Sequence, residues 1–299
     1  MYLVRRVCQA IVVLVLVTFI VFGFRWLLPA SALRQQYGGG RPAIGQYLTW
    51  LGQVLHGNLG FSYVQGASVG SLLAASLPRT LALTLSATVL AIVIAVPVGL
   101  LQALRRGSLL DRVPRGLTYL GYGVPSFFLG SVLILIFAVR LHIFAAEGPQ
   151  EPGIAGVLTD WRALTLPVLT LGVFTGAIFA RYARASAIES LSSDYVRTAR
   201  GGGAGPGRVV ARHVLRNSLI PVITLAGLSL PQIIGGALIV ESLFNIEGVG
   251  WHLWQAALKH DFPVLLGFIL VIGAGAVAGS LLADLGYLVA DPRVRYRQP

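Results

Sequence analysis

The 299 residues are 56% hydrophobic and only 11% charged, with a net charge of +12 and a mean hydropathy of +0.78. A soluble domain carries roughly a quarter charged residues, so this composition excludes a water-soluble protein and places the chain in a membrane. The single cysteine, Cys8, excludes a disulfide framework and a metal site built from several cysteines.

Six apolar stretches are each long enough to cross a bilayer. A hydrocarbon core of about 30 Å needs about 20 helical residues, because only a helix or a closed barrel satisfies its own backbone there. The sequence therefore predicts an all-α integral membrane protein with six transmembrane helices, at Val7–Leu28, Thr80–Leu104, Leu117–Val139, Leu164–Ala180, Leu219–Val240 and Val264–Ala290.

The first stretch also has features of a cleaved signal peptide. Arg5 and Arg6 form a basic start, and Ala30-Ser31-Ala32 resembles a cleavage site. Its apolar region exceeds the 7–15 residues that are usual for a signal peptide, which favours a retained anchor.

The segment between the first two stretches, from Pro29 to Arg79, contains apolar residues at helical spacing. This spacing predicts a short helix on the outer face of the protein, which either packs on the rim of the bundle or gates the path. The residues that define it are Ile44, Tyr47, Leu48, Leu51 and Leu55, with Trp50 beside them.

The basic residues indicate the direction of insertion. If the N-terminus lies inside, 16 of the 23 Lys and Arg residues face the cytoplasm, although the inner segments are shorter than the outer ones. The positive-inside rule therefore predicts that both termini are cytoplasmic. This bias explains the net charge, and with no soluble basic domain to bind nucleic acid, no nucleic-acid partner is expected.

Few residues in the chain suit catalysis or metal binding. The five histidines are scattered in loops without a metal-ligand spacing, and no phosphate-binding G-x-x-x-x-G-K-[ST] motif occurs. Asp284 is the one acidic residue well inside a predicted span, and it lies close to the polar end at Asp291. We therefore expect a protein without cofactors whose energy comes from elsewhere, rather than a proton relay or a membrane enzyme.

The longest predicted inner loop, residues 181–218, carries seven arginines. Apolar or small residues flank most of them at three- and four-residue spacing, which predicts two short amphipathic helices interrupted at Gly201–Gly207. Such a helix pair below the membrane is typical of a docking surface.

The order of residues in this loop carries a family resemblance. The run from Asp194 to Arg200 reads DYVRTAR, and the run from Arg212 to Thr224 reads RHVLRNSLIPVIT. Both are similar to the corresponding loop of the permease subunits of bacterial ABC importers in the dipeptide, oligopeptide and nickel class. The similarity continues at Leu77–Leu81, Pro125–Gly130 and Asp291–Arg293, and so covers nearly the whole chain.

The resemblance implies a type I ABC importer permease fold in which a cytoplasmic ATPase grips this loop. It implies that Tyr195, Val196, Thr198 and Ala199 fill a groove of the ATPase, that Arg197 and Arg200 lie at its rim, that Asp194 lies near the helix N-terminus, and that Gly203 ends the helix. A carboxylate suits a helix N-terminus, and glycine suits the left-handed conformation at a C-terminus.

The resemblance also implies how the chain is divided into regions and which proteins it assembles with. Residues 1–75 form the first span and the outer segment, residues 76–290 form the transport core, and residues 291–299 form a cytoplasmic tail. The implied partners are a second homologous permease subunit, two ATP-binding subunits and an extracytoplasmic solute-binding protein, besides membrane lipid.

The chain departs from the family pattern at two places. Gly201 and Gly202 replace the Ala and Lys of the family, which weakens the last helical turn by roughly 1 kcal/mol per glycine relative to alanine. Pro29–Ala32 replaces a family PGDP motif, so the outer entrance is expected to differ.

The resemblance favours peptides as the transported solute, with nickel or another small solute left open, since the loop faces the ATPase and not the cargo. Two other classes also stay open. An ATP-independent secondary carrier predicts charged groups inside the membrane, and a receptor or scaffold predicts no transport at all.

Overall fold

The protein is described here from a computed structural model, which covers residues 2–23, 42–229, 233 and 237–290. One short antiparallel hairpin, β1 (Phe61–Ser62) with β2 (Ala67–Ser68), interrupts an otherwise helical chain in these residues. The helices in chain order are α1 Tyr2–Gly23, α2 Ala43–Leu55, α3 Val69–Leu104, α4 Leu109–Gly123, α5 Ser126–Arg140, α6 Gly153–Thr159, α7 Trp161–Ser192, α8 Asp194–Gly201, α9 Pro206–Leu228, α10 Leu238–Leu243, α11 Val249–Leu258 and α12 Phe262–Ala290.

Within the described ranges, four helices are long and apolar enough to cross a membrane, namely α3, α7, α9 and α12. A fifth span is counted if α4 and α5 form one bent crossing. α1 is apolar over Cys8–Gly23, and residues 24–28 of the first predicted span lie outside the described residues, as does the tail 291–299. The coarse expectation of a multi-span helical protein is therefore confirmed, while the count of six stays a prediction.

The third predicted span is not one straight helix. The chain leaves the helix at Val124, whose backbone is extended (φ −80°, ψ 125°), and α4 and α5 meet at 105°. Proline disfavours the helical conformation of the residue before it, so Pro125 explains why the break falls here. The last two turns of α5, Ile134–Arg140, are π-helical.

The predicted inner loop is shorter than the sequence indicated. α7 continues past Ala180 to Ser192, and α9 begins at Pro206, with a π-helical turn at Val210–Val214. The two helices predicted in the loop are present, but the interruption spans only residues 202–205. The fifth predicted span also differs, because α9 ends at Leu228 and α10 begins at Leu238; residues 230–232 and 234–236 lie outside the described part.

The centre of the fold is the pair α3 and α7. A row of alanines on α3, including Ala91 and Ala95, packs against Phe179, Ala180 and Ala183 of α7. Small side chains let the two backbones approach closely. At Gly99 the approach is tightest, since a Cβ atom there would lie 2.7 Å from the carbonyl oxygen of Ala180.

Helix α2 is present where the apolar spacing predicts it, but its buried face differs. Trp50 and its neighbours Tyr47 and Leu51 pack against α1 and α12. Ile44, Leu48 and Leu55, which belong to the same predicted stripe, are exposed. The buried contacts favour the packed-rim interpretation over a gate, because α2 is anchored by its aromatic side.

Candidate functional site

The first part of the candidate site is α8, the short helix in the middle of the arginine-rich loop. It starts after Ser193, which leaves α7 with an extended backbone (φ −77°, ψ 154°), and its first residue is Asp194. A carboxylate in the first turn interacts favourably with the helix dipole. Asp194 also lies 3.7 Å from the guanidinium of Arg197, but both side chains are almost fully exposed, so this ion pair contributes little stability.

The end of α8 is formed by glycine in a left-handed conformation. Gly203 has φ +80°, and its N–H donates to Arg200 while the N–H of Ala204 donates to Ala199. These two hydrogen bonds form a Schellman motif, which satisfies the last carbonyls of the helix. Gly203 therefore has the left-handed backbone conformation that the sequence predicts for it. Gly201 is still helical, so α8 keeps its last turn despite the glycine run.

Two of the predicted groove residues face the chain itself. Val196 is completely buried, and Ala199 packs beside it against Ala103 of α3, Ala187 of α7 and Val214 of α9. A side chain buried in its own subunit cannot fill a partner's groove, so the structure differs from the expectation for Val196; Ala199 is only half-buried, and its contact with the ATPase stays a prediction. Their contacts instead hold α8 against the ends of three longer helices.

The other predicted residues of α8 point away from this core. Their side chains form one exposed surface, with the ring of Tyr195 next to that of His213 at 6.5 Å between centroids. We call this the α8 surface; it consists of Asp194, Tyr195, Arg197, Thr198, Arg200 and the exposed Gly203. Its arginines make no ion pair with the described residues other than the Arg197 contact already given.

The second part of the site is a cavity of about 870 Å³ between α3, α4, α7 and α9. Hydroxyl groups and apolar side chains line it, and the rings of Tyr122 and Phe174 stack at its wall with 5.5 Å between centroids. Of the described lining residues, none is Asp, Glu, Lys, Arg or His. The hydroxyl-bearing members are Thr84, Thr88, Tyr122, Ser126, Thr170, Thr175 and Ser229.

Helix α7 connects the cavity with α8. Thr170, Phe174 and Ile178 of α7 line the cavity, and the same helix continues to Ser192, one residue before α8. Its 32 residues span about 48 Å at 1.5 Å per residue. A displacement of α8 would therefore reach the cavity wall through one continuous helix.

A bidentate ion pair stabilises the end of α7 near α8. Nε and Nη2 of Arg184 donate to the two carboxylate oxygens of Asp111 at 2.9 and 3.0 Å, and the N–H of Gly107 donates to Asp111 as well. Asp111 is buried, so the geometry is that of a strong charge-assisted pair. Sequence reasoning missed it, because 73 positions separate the partners. Asp284, the acid that stood out in the sequence, has no described side chain.

A buried polar cluster lies at the opposite end of α3, and we call it the α11 cap. Thr80 donates to Oε1 of Glu241 at 2.8 Å, and the N–H of Trp251 donates to Oε2 at 3.0 Å. The N–H of Val249 donates to the hydroxyl of Thr80 at 2.8 Å. Burial raises the pKa of the Glu241 carboxyl, and the hydrogen bonds from Thr80 and from the backbone of α11 oppose that rise.

The α11 cap leaves no room for a side chain at two glycines close to the Glu241 carboxylate. A Cβ atom at Gly248 would lie 2.5 Å from Oε2 of Glu241, and one at Gly250 would lie 2.6 Å from Cα of Leu238. The run of glycines after Glu241 is the only signal in the sequence that pointed to a close approach here. Its partner Thr80 could not have been found, because it lies 161 positions away.

The comparisons with known proteins agree with this geometry. Residues 95–296 match the family described as "Binding-protein-dependent transport system inner membrane component". A putative peptide permease protein of Brucella suis is 38% identical over 89% of this chain and 84% of its own length. The oligopeptide transport system permease protein AppB of Bacillus subtilis is 34% identical over 99% of both chains.

A solved structure shares the fold. It is the crystal structure of an amino acid ABC transporter with histidines, and it superposes with a TM-score of 0.55 over 80% of this chain and 97% of its own. At 15% sequence identity, this similarity concerns the fold alone.

Proposed function

Because this chain belongs to the family of binding-protein-dependent transport system inner membrane components, we propose that it forms half of the translocation path of an ATP-driven importer of di- or oligopeptides. The family is a transport component of the inner membrane rather than an enzyme family, and the chain is a multi-pass permease subunit. The peptide assignment rests on relatives named as peptide permeases.

The observation that carries the coupling role is the exposed, basic α8 surface at the end of a helix that lines the cavity. Binding of a partner to Tyr195, Thr198 and the two arginines would move α8. Val196 fixes α8 to α3, α7 and α9, so the movement would be transmitted to the cavity walls. ATP-driven closure of two ATPase subunits on this surface would then open and close the path.

The remaining architecture follows from the same proposal. Six spans with both termini in the cytoplasm place α8 on the inner side, in agreement with its arginines. Residues 1–75 act as the first span and outer segment, residues 76–290 as the core, and residues 291–299 as a tail. A second homologous permease would close the open side of the cavity, and an extracytoplasmic solute-binding protein would deliver the cargo.

The test of coupling is reversal of charge on α8. We expect Arg197→Glu with Arg200→Glu to abolish co-purification of the ATPase subunits and ATP-dependent uptake, because the rim of the docking surface becomes acidic. Arg197→Lys with Arg200→Lys keeps the charge and should retain assembly. Arg105→Glu with Arg106→Glu changes the charge equally at exposed positions outside α8 and serves as the matched control.

Undiminished assembly and uptake in the α8 glutamate variant would refute the docking role. The cargo is tested separately, by competing labelled dipeptide uptake with unlabelled peptides and with nickel. Uptake of nickel without uptake of peptides would overturn the peptide assignment and leave the permease assignment intact.

A further inference from the structure

A second, smaller pocket adjoins the cavity at the α8 end of α7. It has a volume of about 110 Å³ and lies between the end of α3, the second half of α4 and the middle of α7. We call it the arginine pocket, because Arg115, Arg181 and Arg184 line it together with Gln102. Gln102 precedes Ala103, which packs in the same core as Val196 of α8, and this places the pocket next to the coupling region.

Among the described residues, Asp111 is the one carboxylate that pairs with any of the three guanidinium groups, and it pairs with Arg184. Arg184 is bound to Asp111 through Nε and Nη2, while Nη1 stays available. Arg181 lies over the ring of Tyr122 at 5.7 Å, which leaves its charge uncompensated. The guanidinium of Arg115 donates no hydrogen bond to any side chain or carbonyl in the part of the chain that the structure describes. Three cations therefore surround a small volume near a single carboxylate.

Gln102 gives an independent sign that the pocket can bind a ligand. It is 1% exposed, and its Nε2 amide group has no hydrogen-bond partner among the described residues. A buried donor without an acceptor costs roughly 1–3 kcal/mol, so such groups are rare unless something binds them. With three guanidinium groups and one free amide, the polar lining consists mainly of donors, which an oxyanion satisfies.

The pocket lies against the cavity, and the two spaces have two lining residues in common. Tyr122 and Ile178 line both spaces. The cavity itself offers no described charged side chain to a solute. The arginine pocket lies between the cavity and α8. Its arginines thus offer positive charge to a negatively charged group of a solute.

We propose that the arginine pocket binds the carboxylate of a solute that leaves the cavity, and that for a peptide this is the C-terminal carboxylate. The inference rests on the proposed function for the cargo, and it assigns a selectivity step to the permease itself. Arginine suits the role because its planar fork binds carboxylate oxygens in pairs.

The test measures binding to the complete transporter in phosphatidylcholine nanodiscs, without the solute-binding protein. Saturation-transfer NMR compares dialanine with dialanine amide, which differ only at the carboxyl end. We expect dialanine to bind about tenfold more tightly, as a hydrogen bond to a charged group implies. Arg115→Gln should remove most of this preference, and Gln102→Leu, which keeps the volume of the side chain, should reduce it.

Arg112→Gln is the matched control, since Arg112 is an exposed arginine on the same helix that does not line the pocket. Equal binding of dialanine and its amide, or unchanged binding in Arg115→Gln, would overturn the proposal. Loss of dialanine binding when phosphatidylglycerol is added would also overturn it, by assigning the pocket to a lipid phosphate. ATP-dependent dialanine uptake, measured in parallel, tests the proposed function independently, because it can fail while binding persists.

Discussion

The α11 cap and the α8 surface lie toward opposite ends of α3. The polar groups of the α11 cap are buried and paired, whereas those of the α8 surface are exposed. In the α11 cap, Glu241 and Thr80 are completely buried, and each is bonded to the other and to the backbone of α11. On the α8 surface, the side chains of Arg197 and Arg200 are exposed, and among the described residues their one ion pair is the weak contact of Arg197 with Asp194. Thr80, in the first half of α3, and Ala103, beside its last residue, are roughly 35 Å apart along the helix.

This difference distinguishes polar groups that stabilise the fold, as in the α11 cap, from polar groups that are available to bind a partner, as on the α8 surface. A buried carboxylate costs free energy unless all its lone pairs are satisfied, so the α11 cap holds one arrangement of α3, α10 and α11. Exposed arginines add almost nothing to the stability of the isolated subunit. Their energetic contribution would come from a partner, which agrees with a docking role for α8.

The largest effect is expected where the cap is broken. Glu241→Ala leaves the hydroxyl of Thr80 and the N–H of Trp251 without their buried acceptor. We expect a loss of about 3–5 kcal/mol in the free energy of unfolding, measured by thermal unfolding of the purified complex. Glu247→Ala, which removes a half-exposed carboxylate from the same loop, should cost less than about 1 kcal/mol. Equal effects of the two variants would contradict the cap.

A smaller loss is expected at the pair beside the arginine pocket. Asp111→Asn keeps the shape but removes the charge that Arg184 binds, so we expect a loss of about 2–3 kcal/mol in unfolding free energy. Asp194→Asn removes the charge of the exposed Asp194–Arg197 pair and should change the free energy of unfolding by less than about 0.5 kcal/mol. A double-mutant cycle of Asp111→Asn with Arg184→Gln measures the coupling directly, and additive effects would refute it.

The smallest effect on stability is expected at the end of α8. Gly203→Ala places a Cβ atom at φ +80°, which costs about 1 kcal/mol and frays the last turn. Gly201→Ala adds the same methyl group at a helical position with open space around it and should be neutral or slightly stabilising. We expect ATP-dependent uptake to fall in the first variant only. A similar loss in both would show that the left-handed conformation does not matter.

Local patterns predicted much of the fold. The long apolar runs located α3, α7 and α12, and the apolar spacing of residues 44–55 located α2. The sequence predicted one span over Leu117–Val139 and not the break at Pro125, because a proline inside an apolar run is compatible with a mild kink as well as with a 105° bend. Pro97 and Pro167 lie inside α3 and α7 without ending them.

The candidate site was predicted in part. The boundaries of α8 and the left-handed Gly203 follow from residues that are neighbours in the chain. The inward direction of Val196 does not, since it depends on where the ends of α3, α7 and α9 lie. The cavity and the arginine pocket were not predicted at all, because their walls come from helices that are distant in sequence.

The amino-acid sequence alone determined that this chain is a helical membrane protein with an arginine-rich loop similar to that of ABC permeases. Hydrophobicity, charge bias and glycine conformation depend on residues that are close together in the chain, so they can be predicted from the sequence. Only the tertiary structure decided which polar groups are paired, as Glu241 is with Thr80 and Asp111 is with Arg184, and which are left for a partner or a solute. The partners in each pair are far apart in the sequence. The sequence pattern does not show which distant residues come together in the folded chain.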